Sequence, residues 1–391
     1  MLLIMIAALT ASQGSGKKLT GPSTTKITAT PAATAAAAQC AGGQRSRLIA
    51  SNPQHRAQFL EKQLEALSNT VRGPLRIVEL HLHDSKNIGD VYCSPFEHFA
   101  LLRRLRTISL DVRERDTVAT IKSLTDNRTL FIIGGGGLVT PGGGGFSLCA
   151  HTACKYARCI IWSVGTNSRS YDLRSAANNV GRLGSDYKSI SHNRKPLQPL
   201  PGVMLAAGRD FGVPLPVPWT PLMDASSMLP LSYCARTDAS INLSPQGTPL
   251  VSYYLHSSWF TQYLDWGNAT DLVGPRLLNS ETSIDAVLGF LCKAEVVVTT
   301  SYHGAYWAAL MGKRIVAVNT AQNSKLLFFP FSIEILQMKR GRAATASQLR
   351  AAIRRARELP PTVLAMERRR TWEFYERVLL VILNLTLDRA S

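Results

Sequence analysis

Several short groups of residues in this 391-residue chain have the types and spacing for acid–base or anion-binding chemistry. His303, in Thr299-Thr300-Ser301-Tyr302-His303-Gly304, follows a β-rich apolar run and precedes an apolar helical one. It is predicted to sit past the carboxyl end of a strand and at a helix N-terminus, where backbone N–H groups and the helix dipole favour an anion. That puts an imidazole acid/base beside bound negative charge, although the ring could instead cap its own helix or pack beside Trp307. Gly134, Gly135 and Gly136, with Gly137, could present amides to a phosphate or sugar oxygen, or form only a tight turn. Asn87 and Asp90 could hydrogen-bond hydroxyls, with Gly89 permitting the turn between them, but both are also ordinary turn residues. Arg209 could pair with a carboxylate or phosphate, or with Asp210 as a surface ion pair. Lys325 could add a second cation or stay solvated.

The elements that must position these residues alternate in type. A strand from Leu75 breaks at the polar segment 84–90, and residues 97–105 have helical composition. Strands over 129–133 and 159–164 each run into a loop of small or polar residues. Strands alternating with helices indicate βαβ units and a mainly parallel α/β sheet, with ligands at the carboxyl ends of the strands. Residues 167–218 are proline-rich and poorly patterned. Strands resume at 249–254, so the domain boundary is expected within 231–248. The later half repeats the logic: a helix over 284–292 with Ser283 as N-cap, a strand over 295–299, a helix over 305–311 stopped by Gly312, and a strand over 314–318. After a helical stretch at 351–358, a long helix over 363–385 is expected to pack on a domain, crossing back to the first.

Length allows two cores of ordinary size plus a leader. Expected units are a disordered basic leader over 1–60, an N-terminal Rossmann-like domain over 61–235, a C-terminal one over 245–362, and the last helix within 363–391. Net charge is +18; six Lys and Arg precede the first acidic residue, Glu61, and the remainder still carries +12 (18 less 6). That suits phosphate esters and acidic glycans. The chain has no recognition helix, no basic stripe interleaved with aromatics and no zinc-finger spacing, so nucleic acid is not an expected partner. The seven cysteines include no CxxC pair, which argues against a zinc site or a disulfide scaffold; Cys149, Cys154 and Cys159 are expected as small buried hydrophobes. There is no nicotinamide fingerprint either, so no cofactor is expected. The leader reads as an organellar transit peptide of plastid type, with a secretory signal as the alternative, and its apolar run at 2–9 is too short to span a membrane. Asn127, Asn242, Asn268 and Asn384 each open an N-x-[ST] triplet, which matters only on a secretory route.

Taken together, Asn87-Ile88-Gly89-Asp90, Ile132-Ile133-Gly134-Gly135-Gly136-Gly137-Leu138, Arg209-Asp210 followed by Asp224-Ala225-Ser226-Ser227, and Ser301-Tyr302-His303-Gly304 with Lys325 resemble the polysaccharide pyruvyl transferase family over residues 75–330. The resemblance implies two Rossmann-like domains in a GT-B-like arrangement. It further implies phosphoenolpyruvate as donor, a sugar diol of a glycan or oligosaccharide as acceptor, and a cyclic pyruvate ketal as product. It implies His303 as the acid/base, and Asn87, Gly89, Asp90, Gly134, Gly135, Gly136, Arg209, Ser301 and Lys325 as substrate-binding residues. Ser301 stands where part of the family has the arginine of Ser-Arg-x-His; the chain follows the Ser-aromatic-His-Gly form of other members, which leaves Lys325, Arg276 or Arg314 to supply that cation. Two other functions fit the same elements: a GT-B-like transferase using a nucleotide sugar, and a glycan-binding protein without turnover.

Overall fold

Short β-branched runs pair in parallel when helices cover both faces of the sheet, and this chain builds two such sheets. The computed structural model describes residues 52–68, 75–83, 86–139, 145–166, 201–209, 219–231, 250–257, 272, 274–319, 326, 329–338 and 343–388. In chain order, the first part holds α1 (Pro53–Ser68), β1 (Arg76–His81), α2 (Ile88–Tyr92), α3 (Ala100–Leu105), β2 (Arg106–Asp111), α4 (Thr117–Ser123), β3 (Thr129–Ile133), β4 (Gly136–Val139), α5 (Gly145–Tyr156), β5 (Arg158–Thr166), β6 (Val203–Gly208) and β7 (Thr220–Pro221). The second holds β8 (Val251–Leu255), β9 (Arg276–Leu278), α6 (Ile284–Lys293), β10 (Val296–Thr299), α7 (Tyr302–Leu310), β11 (Arg314–Asn319), β12 (Glu334–Gln337), α8 (Ala346–Arg355) and α9 (Thr362–Leu387). Both sheets lie within one compact unit, Ala57–Ser391.

The first sheet has the order β2-β1-β3-β5-β6-β7, with β4 beside β5. The second has the order β9-β8-β10-β11-β12, and all the described pairings are parallel. Each sheet therefore starts in the middle, places its second strand on one side and continues on the other. This is the α/β, Rossmann-like architecture expected from the sequence. Such sheets bind ligands in the crevice outside the strand ends where the order reverses, here between β1 and β3 and between β8 and β10.

Local signals explain most element ends. Ser283 caps α6 by accepting from the Ala286 amide, Thr345 and Gln348 form a capping box on α8, and Gly312 leaves α7 at φ 72°. Some expectations are corrected. Residues 97–105 are not one helix: Ser94 caps a 3₁₀ turn over Pro95–Glu97, and α3 begins only at Ala100 and passes directly into the unexpected strand β2. The glycine run is not all loop, because Gly136–Val139 pairs with β5, starting from a φ of 111° that suits glycine. The first helix begins inside the stretch assigned to the leader, and its Ala57, Leu60 and Leu64 are buried. The leader up to residue 51 and the expected boundary over 232–248 lie outside the described residues.

Helix α9 lies against the first sheet. Tyr375 stacks on Phe99 with ring centroids 3.8 Å apart, Phe374 meets Trp162 edge-on at 4.9 Å, and the Arg377 guanidinium donates to Thr220 Oγ1 at 2.6 Å. Arg368 donates to the carbonyls of Ser227, Leu229 and Leu231. Cys154 and Cys159 are buried, as expected, but they are bonded to each other across the α5–β5 connection, with Cα atoms 5.2 Å apart. They are five positions apart in the sequence, and the tight turn through Ala157 brings the helix end to the strand start. Cys292 is also disulfide-bonded, whereas Cys149 and Cys93 are free and buried. No helix among the described residues is long and apolar enough to cross a membrane.

Candidate active site

Three buried ionisable side chains meet where the two sheets' carboxyl ends face each other. Arg209 directly follows β6, Asp224 lies on the segment after β7, and His303 is in the first turn of α7 after β10. They are 1%, 0% and 2% exposed. Asp224 Oδ2 stands 3.4 Å from His303 Nε2 and 3.8 Å from Arg209 Nη1, and Arg209 Nη1 is 3.5 Å from His303 Nε2. These separations are longer than those of short hydrogen bonds. The Arg209 guanidinium also sits 4.0 Å over the Tyr302 ring, a cation–π contact.

The carboxylate is held from behind. Asp224 caps a 3₁₀ turn, its Oδ1 accepting from the Ser226 amide at 2.9 Å and from the Ser226 hydroxyl. Trp307, one turn beyond His303 on α7, donates its indole N–H to Ser226 Oγ at 3.0 Å, and its ring lies 5.7 Å from the imidazole. Burial works to raise the Asp224 carboxyl, but His303, Arg209 and Ser226 outweigh it and hold it below the ordinary carboxylate value.

The Asn87–Asp90 segment closes the other edge of the imidazole. A Cβ added at Gly89 would lie 2.1 Å from His303 Nδ1, so glycine is required for this approach. Asn87 Oδ1 accepts from the Gly89 amide at 3.2 Å, and its Nδ2 donates to Asp90 Oδ2 at 3.0 Å. The segment is tied to the second sheet by the Ile88 amide, which donates to the Asn279 carbonyl at 3.0 Å. Beneath it, burial lowers His81 despite Glu79 nearby, which favours the neutral ring. Burial pushes the Cys93 thiol well up, with Asp224 and Asp90 adding to it, so Cys93 is no ready nucleophile.

Of the residues singled out in the sequence, Asn87, Gly89, Asp90, Arg209, Ser301 and His303 fall in this region. Ser301 is the N-cap of α7, its Oγ accepting from the Gly304 amide at 3.4 Å. The Gly134 amide is used within the sheet, donating to Leu80 O at 3.0 Å. A Cβ at Gly135 would lie 3.1 Å from the Cys93 carbonyl oxygen, and Gly136 opens β4. Lys325 and Asp210 lie outside the described residues. Arg314 is engaged with Glu295 and the carbonyls of Ile353 and Ala356, and Arg276 is exposed on β9. Among the described residues, the cation beside His303 is Arg209, from the opposite sheet. Asp224 was not among the predicted site residues; its signal was Asp-x-Ser, a side-chain cap. No group of His, Cys, Asp and Glu placed to hold a metal ion occurs among the described residues.

No family model matches the chain, and no curated protein matches it. Similar solved structures include the glycotransferase of kitacinnamycin, at 13% identity over 80% of this chain and 100% of that one, with a TM-score of 0.41. The ADP-heptose lipopolysaccharide heptosyltransferase II of E. coli is 11% identical over 81% and 100%, with a TM-score of 0.31. An uncharacterized protein of Klebsiella pneumoniae is 16% identical over 67% and 88%, also with a TM-score of 0.31.

Proposed function

We propose that the chain is a transferase that moves pyruvate from phosphoenolpyruvate onto two hydroxyls of a glycan sugar as a cyclic ketal, with His303 as its acid/base. The observation that supports this reading is the buried Asp224–His303–Arg209 cluster, an imidazole held between an anion and a cation. Asp224 Oδ2, 3.4 Å from Nε2, would stabilise the ring when it carries a proton. In the reaction the methylene carbon takes a proton, one sugar hydroxyl gives up its proton as its oxygen bonds to the central carbon, the bond to the phosphate oxygen breaks and phosphate leaves. The second hydroxyl then closes the ring and gives up its proton. Asp90, a carboxylate held in place by the bond from Asn87 Nδ2, suits an incoming hydroxyl. Arg209 suits the donor carboxylate and takes the part of the arginine that Ser301 replaces.

The full chain, given phosphoenolpyruvate and acceptors containing galactose or mannose, is expected to release phosphate and yield a ketal visible by NMR. His303→Ala is expected to lower turnover at least about 100-fold while circular dichroism stays that of the folded protein. Turnover of a uridine or guanosine diphosphate sugar, with no ketal across the acceptor panel, would replace pyruvyl transfer by glycosyl transfer. Undiminished turnover in His303→Ala would move the acid/base role elsewhere.

A further inference from the structure

The turn between α4 and β3 carries the triplet Asn127-Arg128-Thr129, and Asp126, Asn127 and Arg128 are all exposed there. It lies at the amino ends of the strands, beside the starts of β1 and β5: Arg76 pairs with Asp126 at 3.4 Å, and Arg158 Nη1 donates to the Asn127 carbonyl at 3.2 Å. The candidate active site is at the opposite ends. The five residues of β3 separate the two regions by roughly 17 Å. A bulky group on the exposed Asn127 would sit at the amino ends of the strands, away from the His303 region.

Cys154 and Cys159 are bonded to each other, and Cys292 is also in a disulfide. Disulfides form and persist in oxidising compartments such as the lumen of the secretory pathway, where Asn-x-Thr triplets are modified.

We propose that Asn127 is an N-glycosylation site and that the protein acquires its glycan in the same oxidising lumen in which its disulfides form. The co-reactant is a lipid diphosphate-linked oligosaccharide. Asn127 Nδ2 bonds to C1 of the first sugar, the bond from C1 to the diphosphate oxygen breaks, the lipid diphosphate leaves and one amide proton is lost. The fold also sets the timing. Thr129, whose hydroxyl a glycosyltransferase of this kind must read, is fully buried once β3 has formed and donates to Asp126 Oδ1 at 2.7 Å. The modification therefore precedes the closure of the first sheet.

The test is expression of the unaltered full chain in a eukaryotic host, with peptide mass analysis before and after enzymatic removal of N-linked glycans. The expected result is a glycan on the Asn127 peptide together with a cross-linked Cys154–Cys159 peptide. Asn127→Gln should lose that glycan, keep the cross-link and leave the unfolding midpoint unchanged. The comparison also separates Asn127 from the triplets at Asn242, Asn268 and Asn384. Folded, unglycosylated protein incubated afterwards with the transferase and donor should remain unmodified, while the unfolded chain is modified. An unmodified Asn127 in the protein from the host, whether its cysteines are bonded or reduced, would overturn the proposal.

Discussion

A methyl group at position 89 would meet the His303 ring 2.1 Å from Nδ1 and 2.3 Å from Cγ, far inside van der Waals contact. Neither partner can yield cheaply, since Ile88 is anchored to Asn279 and the ring is backed by Trp307. Gly89→Ala is expected to shift the His303 ring resonances in the NMR spectrum, to lower turnover at least about tenfold, and to cost about 1–3 kcal/mol in urea unfolding. Unmoved resonances would mean that the loop gives way instead. Each of these residues was readable in the sequence as a chemical type, a turn glycine and a histidine before a helix. Their contact was not, because more than 200 positions separate them and nothing local to either points to the other.

The long C-terminal helix illustrates the same limit for an element. Its apolar period predicted a helix over 363–385, and α9 spans Thr362–Leu387. Glu367 stands beside three consecutive arginines, yet it is fully buried. Its Oε1 accepts from Arg370 at 2.7 Å, and Oε2 has no hydrogen-bond partner among the described residues. Burial raises the carboxyl from 4.5 to about 7, against the pull of Arg370. A carboxyl raised on folding contributes stability fully present below its ordinary value and lost as pH rises through about 7. Wild-type stability should therefore fall between pH 5 and 8, while Glu367→Gln stays flat and gains about 1–3 kcal/mol at the upper end. Urea midpoints at the two pH values measure this, and parallel slopes for the two proteins would count against it.

Across the whole molecule, Asp224 joins the two sheets, facing Arg209 of the first and His303 of the second. Because its carboxyl is held below the ordinary value, its contribution is present above that value and lost as pH falls through the folded one. Asp224→Asn leaves Arg209 buried beside a neutral partner, so a loss of about 3–5 kcal/mol at pH 7 is expected. The gap to wild type should narrow between pH 7 and pH 3, as the pH falls below the ordinary carboxylate value of 3.8. Calorimetry at the two pH values checks the sign, and a gap that widens in acid would remove Asp224 as the charge that joins the sheets.

The sequence by itself determined the alternation of strand and helix, the parallel α/β class, the caps at Ser283 and Gly312, and the loop-to-helix setting of His303. These follow from periodicity and turn chemistry within a few residues. It missed β2, where a helix passes into a strand without a turn residue, and the Cys154–Cys159 bond, which needs the geometry of the α5–β5 connection. Only the tertiary structure decided that Arg209 is a cation beside His303, that Arg314 is engaged with Glu295 instead, and that Asp224 is the anion. The partner of a buried charge is chosen by how two sheets meet, and that is set by the burial of many side chains at once rather than by any short stretch of chain.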